Sequence, residues 1–121
     1  MMDLDNFKIY NDTFGHLEGD QLLKDFSRML TDKFRETDVV CRYAGDEFVV
    51  VLPDTDLEGA IQVAEKIKAE IENYPSKLKV SISQGIAQYA QDMSPHDLVL
   101  KADQALYQAK HEGKNRICAY K

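Results

Sequence analysis

Between Val39 and Leu52 the chain sets two runs rich in β-branched and aromatic residues, Val39–Tyr43 and Phe48–Leu52, on either side of Ala44-Gly45-Asp46-Glu47. Two such runs four residues apart read as an antiparallel hairpin. That hairpin needs partners, and the other segments supply them in a clear order. Met1 to Leu4 reads as the tail of a strand. Phe7, Tyr10 and Phe14 follow at helical spacing and stop at Gly15; Gly19-Asp20 then opens a longer helix with Leu22, Leu23, Phe26, Leu30 and Phe34 in one stripe. After the turn Pro53-Asp54-Thr55-Asp56, with Thr55 or Asp56 as cap, a helix carries Ala60, Ile61, Ala64, Ile67 and Ile71 and ends before Pro75. Lys79–Tyr89 reads as a strand. Ser94-Pro95 is a strong helix start. The helix it opens buries Leu98, Ala102, Ala105, Leu106 and Ala109 and closes at Gly113, before a last strand over Arg116–Tyr120.

The expected fold is mixed α/β, a central sheet with helices over it. The 121 residues suit one domain spanning 1–121, and a hydrophobic fraction of 44% is ordinary for a packed core. Asp+Glu 21 against Lys+Arg 15 gives a net charge of -6, which disfavours non-specific nucleic-acid binding. No apolar run approaches the ~20 residues that span a bilayer, so no membrane contact is expected. The opening residues lack the basic and apolar regions of a signal peptide. Cys41 and Cys118 are far apart in apolar stretches and read as small core residues in a reducing compartment. Neither has the spacing to a histidine that a zinc site needs.

Chemistry concentrates at three places. Asp3-Leu4-Asp5 lies at the C-terminal end of a strand, with Asp3 and Asp5 on one side by alternation and Leu4 on the other. Gly45-Asp46-Glu47 lies at a hairpin tip. Carboxylates from two such places can hold a hard cation through oxygen. Taken singly, a DxD before a helix is usually a cap plus a solvated acid, and an acidic hairpin tip is usually a turn. Lys110 and Lys114, near the end of the last helix, are either cations complementing its dipole or a clamp on a phosphate chain. His16 falls in the loop leading to Asp20 and is read as structural.

In sequence, these segments resemble the GGDEF domains, the diguanylate cyclases. Asp3-Leu4-Asp5-Asn6-Phe7-Lys8, Asn11-Asp12-Thr13-Phe14-Gly15-His16 and Gly19-Asp20 are similar to the family's DxDxFK…NDxxGHxxGD stretch. Arg42-Tyr43-Ala44-Gly45-Asp46-Glu47-Phe48 resembles its signature hairpin. Ala102 to Lys110, with Gly113-Lys114-Asn115, resembles its closing helix. The resemblance implies a mostly antiparallel sheet flanked by helices, a nucleotidyl-cyclase or palm-like fold with a ferredoxin-like core. It also implies condensation of two GTP into cyclic di-GMP with release of two pyrophosphates, at the interface of a homodimer whose halves each present one GTP.

Position by position, the resemblance assigns Mg2+ (or Mn2+) to Asp3, the carbonyl of Leu4, Asp46 and Glu47, with Asp46 and Glu47 also catalytic. Asn11 and Asp20 match the pair that reads guanine. Asn6, Phe7 and Lys8, with Lys110 and Lys114, match the part that holds the β- and γ-phosphates. Arg35-Glu36-Thr37-Asp38 matches an inhibitory RxxD site for cyclic di-GMP, with Lys66 where the family often has an arginine; a lysine lacks the bidentate contact. A bacterial cytoplasmic location and an upstream sensor domain are further implications.

The sequence also departs from the family. Ala44 stands in place of a glycine, which costs roughly 1 kcal/mol if that position needs positive φ, and otherwise adds a methyl group near the nucleotide. Lys114 replaces arginine. Gln84, in Ser83-Gln84-Gly85, has no functional account. The family's N-terminal helices and most of its first strand have no counterpart before Asp3, which leads us to expect exposed apolar sheet, reduced stability, self-association or a strand-swapped dimer. Beside the cyclase stand two other readings. One is an impaired domain that binds GTP or cyclic di-GMP without turnover. The other is a different cyclase or polymerase palm, disfavoured by the Asn11/Asp20 pair and the closing helix.

Overall fold

A computed structural model describes residues 1–75 and 78–120. The elements run β1 (Met2–Leu4), α1 (Phe7–Phe14), α2 (His16–Lys33), β2 (Val39–Ala44), β3 (Glu47–Val51), α3 (Leu57–Glu72), β4 (Ile82–Ile86), α4 (Pro95–His111) and β5 (Ile117–Ala119). The five strands form one sheet in the order β2-β3-β1-β4-β5, antiparallel throughout except for the parallel β4–β5 pair. This is the mixed, mostly antiparallel sheet flanked by helices that the sequence leads one to expect.

Register sorts side chains between the two faces. Met2 pairs with Phe48 and Gln84, and Leu4 pairs with Ile82. Directly opposed residues share a face, so this set points one way, where it joins Leu22, Phe26 and Leu30 of α2 and Ile67 and Ile71 of α3 in one core. Asp3 pairs with Glu47 and Ser83 and takes the opposite face. There α4 rests on β4 so closely at Gly85 that a Cβ would collide with the backbone of Ala102 and Leu106. In β1 and β4 the odd residues therefore take the α4 side with an acid and small side chains, while the even residues face the α2–α3 core.

Local chemistry sets the ends. Asp56 caps α3 by accepting from the Gly59 N–H at 2.8 Å. Ser94 and Asp97 form a reciprocal capping box on α4, with Pro95 in its first turn. Gly15, at φ 89, ends α1 through its N–H to the Asn11 carbonyl at 2.7 Å and serves as cap for α2.

Four expectations need correction. The second helix opens at His16 rather than Gly19-Asp20, so His16 lies on a first helical turn and not in a loop. Gly19 is instead a buried packing position inside α2, against the Asn11 side chain. The strand expected over Lys79–Tyr89 is only Ile82–Ile86. Its upstream residues leave the ladder where Ser81 carbonyl meets the Asp5 N–H, and β1 partners reach no further than Met1 against Gly85. Neither cysteine is a core residue: Cys41 is exposed on β2, an edge strand with one neighbour, and Cys118 on β5 is half-buried.

Gln84, unexplained by its sequence, is 2% exposed and donates through Nε2 to the Ala64 carbonyl at 2.9 Å, tying α3 to the sheet. Beside Met1, an apolar groove of about 570 Å3 runs between β3, β4, α3 and α4, lined among others by Val50, Ile86, Val63, Leu98 and Ala102. No helix among the described residues is long and apolar enough to cross a membrane.

Candidate active site

The hairpin tip is tighter than its sequence suggests. Ala44 pairs with Glu47, leaving Gly45 and Asp46 as the turn, and Gly45 adopts φ 48. Two-residue turns demand such left-handed backbone, which glycine adopts freely. Arg42 pins the turn by donating from Nε to the Gly45 carbonyl at 2.7 Å. Ala44 itself lies in β2 and is not among the residues with positive φ, so its methyl group carries no backbone penalty.

The turn brings Asp46 beside the end of β1, where the Leu4 N–H donates to the Asp46 carbonyl at 3.4 Å. A polar cleft of about 320 Å3 opens there. Its walls hold Asp3, Leu4, Asn6, Phe7, Lys8, Asp46, Lys110 and Lys114, together with Asp5 and Ile9. Most of the residues assigned to metal and phosphate thus share one cavity. The larger apolar groove holds none of them.

Asp3 is the electrostatic centre. It is 6% exposed, its Oδ1 is buried with no hydrogen-bond partner, and its Oδ2 accepts from the Lys110 ammonium. Burial and the neighbouring Asp46 carboxyl push its pKa from 3.8 up to about 7, against the pull of Lys110. Burial opposes the charge on Lys110, but Asp3, Glu47 and Asp46 outweigh it and raise that lysine's pKa. Glu47 stands directly across the ladder from Asp3. Two crowded carboxyls, one with an unpaired buried oxygen, are short of positive charge. The donor set is all oxygen and suits a hard divalent cation. Among the described residues no group of three or more His, Cys, Asp or Glu side chains is arranged to hold a metal. A cation there would need main-chain or substrate oxygens as well.

Asn6 opens α1 at φ 58 without capping it, and its Oδ1 instead accepts from Lys114 Nζ at 2.8 Å. The cationic residue beyond α4 is thereby joined to the backbone turn after β1. Lys8 is exposed on the first turn of α1.

Asn11 and Asp20 are not on the walls of the cleft. Asn11, on α1, faces Gly19 of α2 and has a buried Oδ1 with no partner; Asp20 is the next residue on α2 and is exposed. Arg35 and Asp38 stand elsewhere, in the segment between α2 and β2. Arg35 donates from Nη2 to Asp38 Oδ1 at 3.0 Å, to the Pro53 carbonyl at 2.9 Å and to Thr55 Oγ1 at 3.1 Å. The guanidinium holds the Asp38 carboxyl below its usual pKa. Lys66 is exposed on α3.

Sequence reasoning missed the surroundings of Asp5. This carboxylate is 6% exposed and accepts from Ser83 Oγ at 2.6 Å, Ser81 Oγ at 2.7 Å and the Asn115 N–H at 2.9 Å. The alternating Ser81-Ile82-Ser83 was the available signal, two hydroxyls spaced to fall on one side of an extended chain.

The family model described as "Diguanylate cyclase, GGDEF domain" matches residues 1–116. The uncharacterized protein YhcK of Bacillus subtilis is 42% identical over 97% of this chain and 34% of its own length. The response regulator PleD of Caulobacter vibrioides is 40% identical over 97% of this chain and 28% of its own. This chain thus spans about a third of the length of these relatives. Among solved structures, the GGDEF domain of DgcB from Caulobacter crescentus, in complex with c-di-GMP, superposes with a TM-score of 0.94 at 29% identity, over 98% of this chain and 74% of that one.

Proposed function

Because this chain belongs to the GGDEF family of diguanylate cyclase domains, we propose that its cleft binds GTP with a divalent metal ion and condenses two GTP into cyclic di-GMP and two pyrophosphates. The observation that carries this reading is the buried, unpartnered Oδ1 of Asp3 crowded against Asp46, oxygen donors whose charge Lys110 alone offsets. Asp3 and Asp46, with the Leu4 carbonyl and Glu47, would hold Mg2+ or Mn2+. Such an ion neutralises triphosphate charge and lowers the pKa of the attacking 3′-hydroxyl when bound.

The chain's own groups do the rest. Lys110 and Lys114 present ammonium groups to the terminal phosphates, and the backbone of Asn6 to Lys8 offers N–H groups at the start of α1. Asn11 and Asp20, close together across the α1–α2 contact, are assigned the guanine edge, whose N–H groups a carboxylate accepts. The assigned residues form a single cleft among the described residues, which suits one GTP per chain, and we assign the catalytic unit to a homodimer. The RxxD pair Arg35–Asp38, with Lys66, is the proposed cyclic di-GMP inhibitory site; there the product would compete with Pro53 and Thr55 for the guanidinium.

The test is GTP turnover with Mg2+, followed by product chromatography. Asp46→Ala is expected to reduce cyclic di-GMP formation at least a hundredfold. Full activity of that variant sinks the assignment. A second reading, binding without turnover, is favoured by Ala44, whose methyl group stands beside the tip that would approach the nucleotide. GTP binding with no product, restored by Ala44→Gly, is its signature.

A further inference from the structure

Lys114 and Asn115 are consecutive non-glycine residues with left-handed backbone, at φ 64 and 48. Such residues persist only where their surroundings over-determine them. The Lys114 N–H donates to the Ala109 carbonyl at 3.0 Å and Arg116 Nε to the Lys114 carbonyl at 3.0 Å, and a further restraint on Asn115 is a carboxylate from the other end of the chain. Asp5, one residue past β1, accepts the Asn115 N–H at 2.9 Å on the same Oδ2 that Ser81 reaches, while Ser83 fills Oδ1. All three donors converge on a side chain that is 6% exposed. On the far side of that turn Lys114 Nζ meets Asn6 Oδ1 at 2.8 Å, and Asn6 follows Asp5 directly. One buried acid and its neighbour thus grip the same turn from two sides.

We propose that Asp5 is a positioning residue for the terminal phosphates of the nucleotide: its buried carboxylate fixes the Lys114–Asn115 turn, and through it the Lys114 ammonium at the mouth of the cleft. The inference rests on the reading of that cleft as a GTP site. It makes Asp5 different in kind from Asp3, two residues away in sequence. Asp3 faces Lys110 and Asp46, whereas every hydrogen bond described for the Asp5 carboxylate goes to protein donors. Asp5 also lines the cleft, but both of its carboxylate oxygens are taken by Ser81, Ser83 and Asn115, so it acts on the ligand through the turn. A nucleotide with β- and γ-phosphates should feel its loss, and a monophosphate held by its base should not.

The experiment measures binding of GTP and of GMP, with Mg2+, to the wild-type chain, Asp5→Asn, Lys114→Ala and the double variant, alongside thermal unfolding. Asp5→Asn is expected to weaken GTP about tenfold and to leave GMP within about twofold, as expected for one mispositioned charged contact. In the Lys114→Ala background it is expected to add nothing, because the group it positions is already gone. Equal losses for GTP and GMP, or losses that multiply in the double variant, overturn the proposal. Ser81→Ala removes one donor to the same oxygen and guards against an Asp5 variant that fails to fold: a smaller, still GTP-selective loss supports the proposal, and an unselective one overturns it. Failure of the wild-type chain to bind GTP overturns the reading of the cleft, and this inference with it. GTP binding by the wild type without a selective loss overturns this inference alone.

Discussion

Asp3 makes the site sensitive to pH. Its pKa stands at about 7 in the fold against 3.8 as an ordinary aspartate. A carboxyl whose folded pKa is raised costs stability as its proton is removed, so this cost grows from about pH 4 to about pH 7 and is constant above. The Met1 ammonium, pushed down to about 6 by burial, works in the opposite sense between pH 8 and 6. The contribution of Asp3 is therefore read as a difference: Asp3→Asn should gain thermal stability over the wild type at pH 8 and lose that advantage at pH 5. Metal binding needs the ionised carboxyl, so apparent Mg2+ affinity should weaken roughly tenfold per pH unit below about pH 7. Calorimetric Mg2+ titrations at pH 6 and pH 8 check this, and a flat profile rejects it.

At the scale of elements, the site depends on how closely α4 sits on β4. Gly85 lets the helix backbone lie against the strand, and α4 carries Lys110 toward Asp3. Gly85→Ala should cost about 2 kcal/mol through overpacking, seen as a fall of roughly 8 °C in Tm, and should weaken GTP binding as Lys110 is displaced. An unchanged melting curve excludes this account. Much at this scale was legible in sequence. Ser94-Pro95, the stripe of α2 and the Val39–Leu52 hairpin all appear where their local chemistry places them. The errors share one cause. Glycine at position 19 looks like a helix start, yet it is the notch that receives Asn11; Lys79–Tyr89 has strand composition, yet its ladder partners are limited to a short segment. Composition reports what a segment tolerates, whereas its neighbours decide where pairing stops.

At the scale of the whole molecule, the sheet separates two jobs by residue parity. Even positions Met2, Leu4 and Ile82 build a core with α2 and α3, and odd positions Asp3, Ser83 and Gly85 face α4 and the cleft. A one-residue slip would exchange the two faces, so the apolar core also fixes where the carboxylates point. On the proposed reaction between two chains, cyclic di-GMP formed per milligram of protein should rise with protein concentration until dimers saturate. A specific activity independent of concentration over a hundredfold range counts against a reaction between two chains. Sequence alone determined the order of elements, the family and the acids at the strand end and the hairpin tip, because those follow from local periodicity and from motifs in register. Tertiary structure decided what the acids are for. Asp3 and Asp5 are indistinguishable by spacing, but one is left with an unpaired oxygen beside Asp46 and the other is sated by two serines and a backbone N–H. That distinction depends on groups more than forty residues away in the chain, which only folding brings alongside the two acids.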